Sequence, residues 1–317
     1  EYGGCDKTIS SGKFSDLQSH IDNDANLGDT ICVEGTYEGE LTVHKEIKLV
    51  SNNTRGGATL KNTNGNPAVE TLGSNVVIDG FTIESDGATS VRIDAYENYQ
   101  GEEYDGADNV EIKNNIISNT GWTGIHTKDA DSGSFRVEDL LIKNNEIDVD
   151  ASSGEDSIGV RLNFKGSSGN DAVIYKNTIE VAEANVDGYE SYGVAIVDGA
   201  SRASKSINYN DLSGCSNGIH VKGGDVEAVT GHYNHFADSG YDVVNDEDLP
   251  VYFERNYWGS DGIKVAGNVK YTPWYATSDF SEDVEVADSN YDPRAYSGTI
   301  QDAVEAVSEQ DSNITVE

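Results

Sequence analysis

The sequence predicts an all-β chain wound as a parallel β-helix solenoid with a short N-terminal capping helix. Three observations carry this prediction: an asparagine column recurring every 22 to 34 residues, a second column of short β-branched runs between its members, and helical spacing confined to the two ends.

The elements follow in order. In SGKFSDLQSHIDNDANLGDTICVE (11–34), Phe14, Leu17 and Ile21 share one helical face, and a solenoid needs such a cap over the open end of its core. The repeats come next: IDGFTI (78–83), IKNNII (112–117), IKNNEI (142–147), IYKNTI (174–179), INYNDL (207–212), GHYNHF (231–236) and FERNYW (253–258). They align Asn115, Asn145, Asn177, Asn210, Asn234 and Asn256. The second column reads SVRI (90–93), GIHT (124–127), GVRL (159–162), GVAI (193–196), GIHV (218–221) and GYDV (240–243). Each run is short, alternating and bounded by Gly, Asn, Asp or Ser, which is strand and turn chemistry. One such unit cannot bury its apolar face alone. Stacked at about 4.8 Å per rung, on the order of eight to ten coils would give one continuous Ile and Val core. Asn suits its column because it tolerates the left-handed backbone of a turn and its amide can bond to the Asn above and below.

The predicted organisation is an arm and capping helix over 1–29, the β-helix over 30–288, a linker over 289–298, and the start of a second, truncated β-helix unit over 299–317. The last expectation rests on a copy of the opening. Ser297-Gly298 repeats Ser11-Gly12, and Ile314-Thr315-Val316-Glu317 repeats Ile31-Cys32-Val33-Glu34. A docked tail is the other reading. A second unit would make the function one of length, with tandem solenoids presenting repeated surfaces.

These residues resemble right-handed parallel β-helix repeat proteins of the pectin-lyase-like superfamily. Within it they are similar to the surface and periplasmic β-helix proteins grouped with the copper-binding accessory of nitrous oxide reductase. The resemblance covers about residues 12–275 and is most specific at GDTICVEGTYEGELTVHKEIKLVS (28–51), NYWGSDG (256–262) and YTPWY (271–275). It implies a right-handed winding, with Trp258 and Trp274 sealing the far end. Copper is not supported by the residues: Met is absent, and His232 and His235 sit at an odd spacing that places them on opposite faces of a strand.

Composition bounds the function. Fifty-seven acidic residues face 21 basic ones in 317, a formal charge of −36. This reads as the surface of a halophile, since molar salt screens charge repulsion to about 3 Å. Nucleic acid is excluded as a partner for want of a basic face, and no stretch is apolar enough for a membrane span. A start at Glu1 and the three cysteines suit a secreted, cell-surface or virion-surface protein, with Cys5 and Cys32 expected to pair and Cys215 to be a buried filler. The sequons at Asn52 and Asn313 agree with a secreted archaeal protein.

The second column also carries the candidate site. Its outward positions read Arg92, His126, Arg161, Ala195, His220 and Asp242. Tyr96, Tyr99 and Tyr104 in one flanking excursion, and Trp122 in another, are the aromatic candidates for the walls of a glycan-binding groove. Rings stack on sugar faces, and Arg clamps carboxylate or sulfate. The competing reading pairs these cations with acidic loop residues. No cofactor is required; Ca²⁺ is the candidate ion, with Asp129, Asp131, Asp246 and Asp248 as ligands, though no loop has a defined calcium spacing. The leading functional reading is a non-catalytic structural or adhesive module of a halophilic cell-surface protein or filament that self-associates or contacts a polysaccharide or surface glycan. The alternatives are a haloarchaeal virus spike or tail fibre, and a polysaccharide lyase or glycoside hydrolase. The enzyme requires two carboxylates, or a cation with Arg, converging beside the second column.

Overall fold

A computed structural model of the chain describes residues 4–52, 55–94, 97–104, 106–128, 137–150, 156–163, 171–182, 191–197, 204–223, 229–237, 240–259, 262–272, 274–275, 278–280, 283–286 and 314–316. Among the described residues, three parallel sheets of eleven, seven and nine strands run along its length, and the chain visits them in turn as a right-handed β-helix. The first runs from Lys7–Ile9 to Val269–Lys270, the second from Gly35–Glu38 to Asp211–Cys215, and the third from Leu41–Val43 to Val265–Gly267.

Period-2 alternation places one residue of each coil in the same inward column. Ile78, Ile112, Ile142, Ile174 and Ile207 stack in register in the first sheet, and Val91, Ile125, Val160, Val194 and Ile219 in the third. All ten are buried. Truncating any one to Ala would open a cavity between two rungs, at a cost of about 2–5 kcal/mol for Ile.

At the turn from first to second sheet, the six column asparagines are buried and hydrogen-bonded in one chain. Asn145 donates its backbone N–H (2.9 Å) and one amide hydrogen (3.0 Å) to Oδ1 of Asn177, and its other amide hydrogen to the Ile112 carbonyl at 2.8 Å. The same pattern runs through Asn177, Asn210 and Asn234 to Asn256. The left-handed backbone expected at these asparagines belongs instead to the residue before each: Asn114, Asn144, Lys176, Tyr209, Tyr233 and Arg255, with φ between 55° and 58°. Tyr209 and Tyr233, projecting from consecutive turns, stack at 4.6 Å.

Both ends are closed. The helix Phe14–Ser19 widens into a π turn over His20–Asp24 and buries Leu17 and Ile21 on the first coil. Its Gln18 amide pairs with the free edge of the third sheet, accepting from Thr42 N–H at 2.9 Å and donating to the Thr42 carbonyl at 3.0 Å. A side chain thus takes the place of a missing strand, which guards an edge against further pairing. The disulfide Cys5–Cys32 ties the arm to the first coil. At the far end Phe236 stacks on Trp258 at 4.9 Å, and Trp258 and Trp274 are buried. Asp283–Val286 pairs antiparallel with Trp274–Tyr275, and Ile314–Val316 pairs antiparallel with Asp283–Val286. The strand Ile314–Val316 falls within the span read in the sequence as the start of a further unit; the linker 289–298 lies outside the described residues.

Candidate functional site

The outward face of the third sheet brings the predicted cationic column into one line. Glu70, Arg92, His126, Arg161, Ala195 and His220 are Cα partners in successive strands. The next member is Val244, not Asp242. Asp242 falls two positions before Val244, in register with Gly218, where its buried carboxylate accepts the Lys264 N–H at 2.8 Å.

The line divides chemically. At its lower end the charges neutralise one another. Arg92 pairs with Glu70, its Nε lies 3.7 Å from Asp94, and Lys128 Nζ donates to Asp94 at 2.9 Å. Burial raises the Glu70 carboxyl above the usual range, and the Arg92 guanidinium opposes this. Arg92 is therefore spent on the protein's own acids. Next along, His126 is pushed down to about 4, first by burial and then by Arg161, Arg92 and Lys128, so it is neutral at neutral pH. Its Nε2 and the adjacent Arg161 Nε are buried without a hydrogen-bond partner among the described residues. Buried polar groups usually have partners, so two orphans in consecutive rungs mark a place where polar atoms are unmet.

Above Arg161 the small Ala195 opens a depression of about 240 Å³. Arg161, Lys222, His220 and Tyr192 line it, with Asp156 at one side and Ile158 and Val197 supplying an apolar surface. His220 Nε2 is 2.8 Å from Asp246 Oδ2, which fixes its ring, and Tyr192 lies against that ring at 4.5 Å. Trp122 is exposed at 41%, just before Thr123, the register partner of Ile158, and it does not line the depression.

The remaining candidates fall elsewhere. Tyr99 and Tyr104 do not wall this line: they belong to the hairpin Glu97–Tyr99 and Glu102–Tyr104 and pack around His44 near the cap. Asp246 is engaged by His220, and no group of three or more His, Cys, Asp or Glu side chains able to hold a metal occurs among the described residues. The Asn52 amide donates to Glu34. Cys215 is buried, its Sγ donates to the Ile179 carbonyl at 3.1 Å, and burial pushes its thiol up, so it is no nucleophile. Tyr96, Asp129, Asp131 and Asn313 lie outside the described residues. Sequence reasoning missed Tyr192 and Lys222. Lys222 stands two residues beyond His220, so alternation would have placed it on the same outward face.

No protein-family profile and no curated protein matches this chain. Among solved structures it is similar to an alginate lyase from Paenibacillus sp. (TM-score 0.45, 14% identity, 83% of this chain and 99% of that one). It is also similar to a polygalacturonase from Erwinia carotovora (0.38, 14%, 88% and 96%) and to ORF18 of Geobacillus virus E2 (0.46, 13%, 84%). The match spans 60% of the viral chain's length. These likenesses assign no residue of the site a role.

Proposed function

We propose that this chain is a module of a halophilic extracellular surface protein or filament, and that it binds an acidic polysaccharide along the third sheet. The depression around Arg161 carries the reading. A molecule with a formal charge of −36 repels anions in general, yet here it turns an Arg and a Lys toward one concave surface. Arg161 can clamp a carboxylate or sulfate in fork geometry, Lys222 adds a point charge, and Tyr192 with Ile158 gives an apolar wall for a sugar ring. Nε2 of His126 and Nε of Arg161, unmatched among the described residues, extend the contact by one rung.

A second reading, a lyase acting by β-elimination, is favoured by one specific observation. His220 is oriented by Asp246 and stands beside Tyr192, and Arg161, two rungs away, lines the same depression, which supplies a base and a cation to neutralise a uronate. One experiment separates them. Calorimetry with polygalacturonate and alginate should show binding that Arg161→Ala weakens about tenfold, or ~1.4 kcal/mol, with no rise in the ultraviolet absorbance of the unsaturated product. Equal binding by the variant sinks the binding reading, and an absorbance rise abolished by His220→Ala replaces it with the lyase.

A further inference from the structure

A second cavity, of about 580 Å³, opens at the other end of the third sheet between the cap, the first coils and the tyrosine hairpin. His44 stands in its wall with its ring centroid 5.0 Å from that of Tyr99 and 5.7 Å from that of Tyr104. The His44 side chain is only 9% exposed, and its Nδ1 is buried without a hydrogen-bond partner among the described residues. Asp22 Oδ1 faces that nitrogen at 3.8 Å, too far for a direct bond.

Two polar atoms 3.8 Å apart are spaced so that one hydroxyl oxygen at about 2.8 Å from each bridges them. A hydroxyl donates and accepts at once, so it satisfies the carboxylate by donating to it and the ring by accepting from Nδ1–H, which selects the tautomer with the proton on Nδ1. The receptor for it is already rigid. Gln18 Nε2 donates to Asp22 Oδ1 at 2.7 Å, the Tyr99 hydroxyl donates to the same oxygen at 3.3 Å, and Gln100 Nε2 donates to Oδ2 at 3.1 Å.

Charge decides the class of ligand. Asp22, Glu46 and Glu102 line the cavity, while Lys45 commits its ammonium to the main-chain carbonyls of Asp22 (2.8 Å) and Ala25 (3.2 Å). Burial also lowers the proton affinity of His44. A uronate or sulfated sugar would meet a net negative lining here, three carboxylates against one ammonium. A neutral sugar meets two tyrosine rings, an exposed leucine (Leu27) and the open hydroxyl position.

We propose that this cavity is a carbohydrate site for a neutral hexopyranose, with one sugar hydroxyl bridging His44 Nδ1 and Asp22 Oδ1. It is independent of the acidic-glycan face and opposite to it in charge preference. The test is NMR on the full chain with the methyl glycosides of glucose, galactose and mannose, and with methyl galacturonate as the acidic control. At least one neutral glycoside should bind with a Kd on the order of 1 mM and shift the His44 ring resonances. Galacturonate should leave those resonances in place. Tyr104→Ala and Asp22→Asn should each weaken binding about tenfold, and Arg161→Ala should leave it unchanged. Two results on the unaltered protein would overturn the proposal even if a variant fails to fold: no shift at His44 with any neutral glycoside, or an equal shift with galacturonate. Loss of the neutral sugar in Arg161→Ala would overturn it as well, by assigning the sugar to the other face.

Discussion

Asn177 accepts two hydrogen bonds from Asn145 and donates three, two to Asn210 and one to the Ile142 carbonyl. Replacing it by Ala leaves the Asn145 N–H, one Asn145 amide hydrogen and the Ile142 carbonyl unmet in a dry turn. Each such orphan costs about 1–3 kcal/mol, so Asn177→Ala should lose about 3 kcal/mol or more in urea unfolding. Asn177→Asp should be no better, because its second oxygen would face the Ile142 carbonyl and Asn210 Oδ1 where an N–H₂ is needed. A near-isosteric Asp variant as stable as wild type would contradict this account of the ladder. His126 makes a second prediction at the same scale. Its folded value of about 4 lies below its ordinary 6.5, so protonation favours the unfolded chain. There is no penalty above pH 6.5; it grows as pH falls toward 4, to about 3 kcal/mol, and then levels off. His126→Gln should lose this part of the acid slope, measured as the wild-type minus variant difference in unfolding free energy across that window. Parallel slopes would show that the ring is not held neutral.

Glycine explains how the second and third sheets approach. A Cβ on Gly159 would meet Ile179 Cγ2 at 2.4 Å and the Gly193 carbonyl at 2.6 Å, and Gly124, Gly193 and Gly218 are hemmed in similarly. Gly159→Val should therefore cost about 3 kcal/mol by overpacking, whereas Gly4→Ala, with nothing within 4 Å of its Cβ, should be neutral. Equal melting temperatures for the two variants would exclude close packing as the reason for this column. The same column shows how far the elements were legible in sequence. Strands and the asparagine ladder could be read because burial repeats one residue type at one turn. The left-handed position could not, because its occupants range over Asn, Lys, Tyr and Arg: there the hydrogen bonds of the neighbouring Asn override the propensity of the residue itself. Aligning Gly240 with the other glycines put Asp242 two positions out of register, since in that coil Asp242 itself takes the glycine's place beside Gly218. Arg92, His126, Arg161 and His220 were legible as a line, but which of them is neutralised was not. Glu70 lies 22 residues before Arg92, and only the coil spacing brings them together. The tyrosine hairpin was assigned to the wrong site because sequence gives the length of an excursion and not the direction in which it folds.

Over the whole molecule, 57 acidic residues against 21 basic ones leave 36 negative charges uncompensated after every Lys and Arg is paired. Two effects of salt oppose each other. Dilution strengthens surface pairs such as Lys61–Glu84 and Arg55–Glu146, each worth about 0–1 kcal/mol. It also lengthens screening from about 3 Å at 1 M to about 10 Å at 0.1 M, which lets neighbouring carboxylates on successive rungs, about 4.8 Å apart, repel. In register, Glu146 stands beside Thr178 but Asp148 stands directly beside Glu180, and Ser118 separates Glu84 from Asp148. A parallel stack therefore sets like charges one rung apart wherever the sequence repeats them, and a solenoid cannot relieve this without breaking register. With few cations to strengthen and many carboxylates to separate, repulsion should win. The unfolding midpoint should fall by on the order of 5–10 °C, or about 3 kcal/mol, between 2 M and 0.1 M NaCl. Asp148→Asn, which removes one member of the Asp148–Glu180 pair, should recover a measurable part of that loss at low salt and none at high salt. Melting curves that coincide across the series, or an Asp148→Asn gain equal at both salts, would mean that the acidic surface is carried without electrostatic strain and that a high-salt habitat is not what this protein is built for.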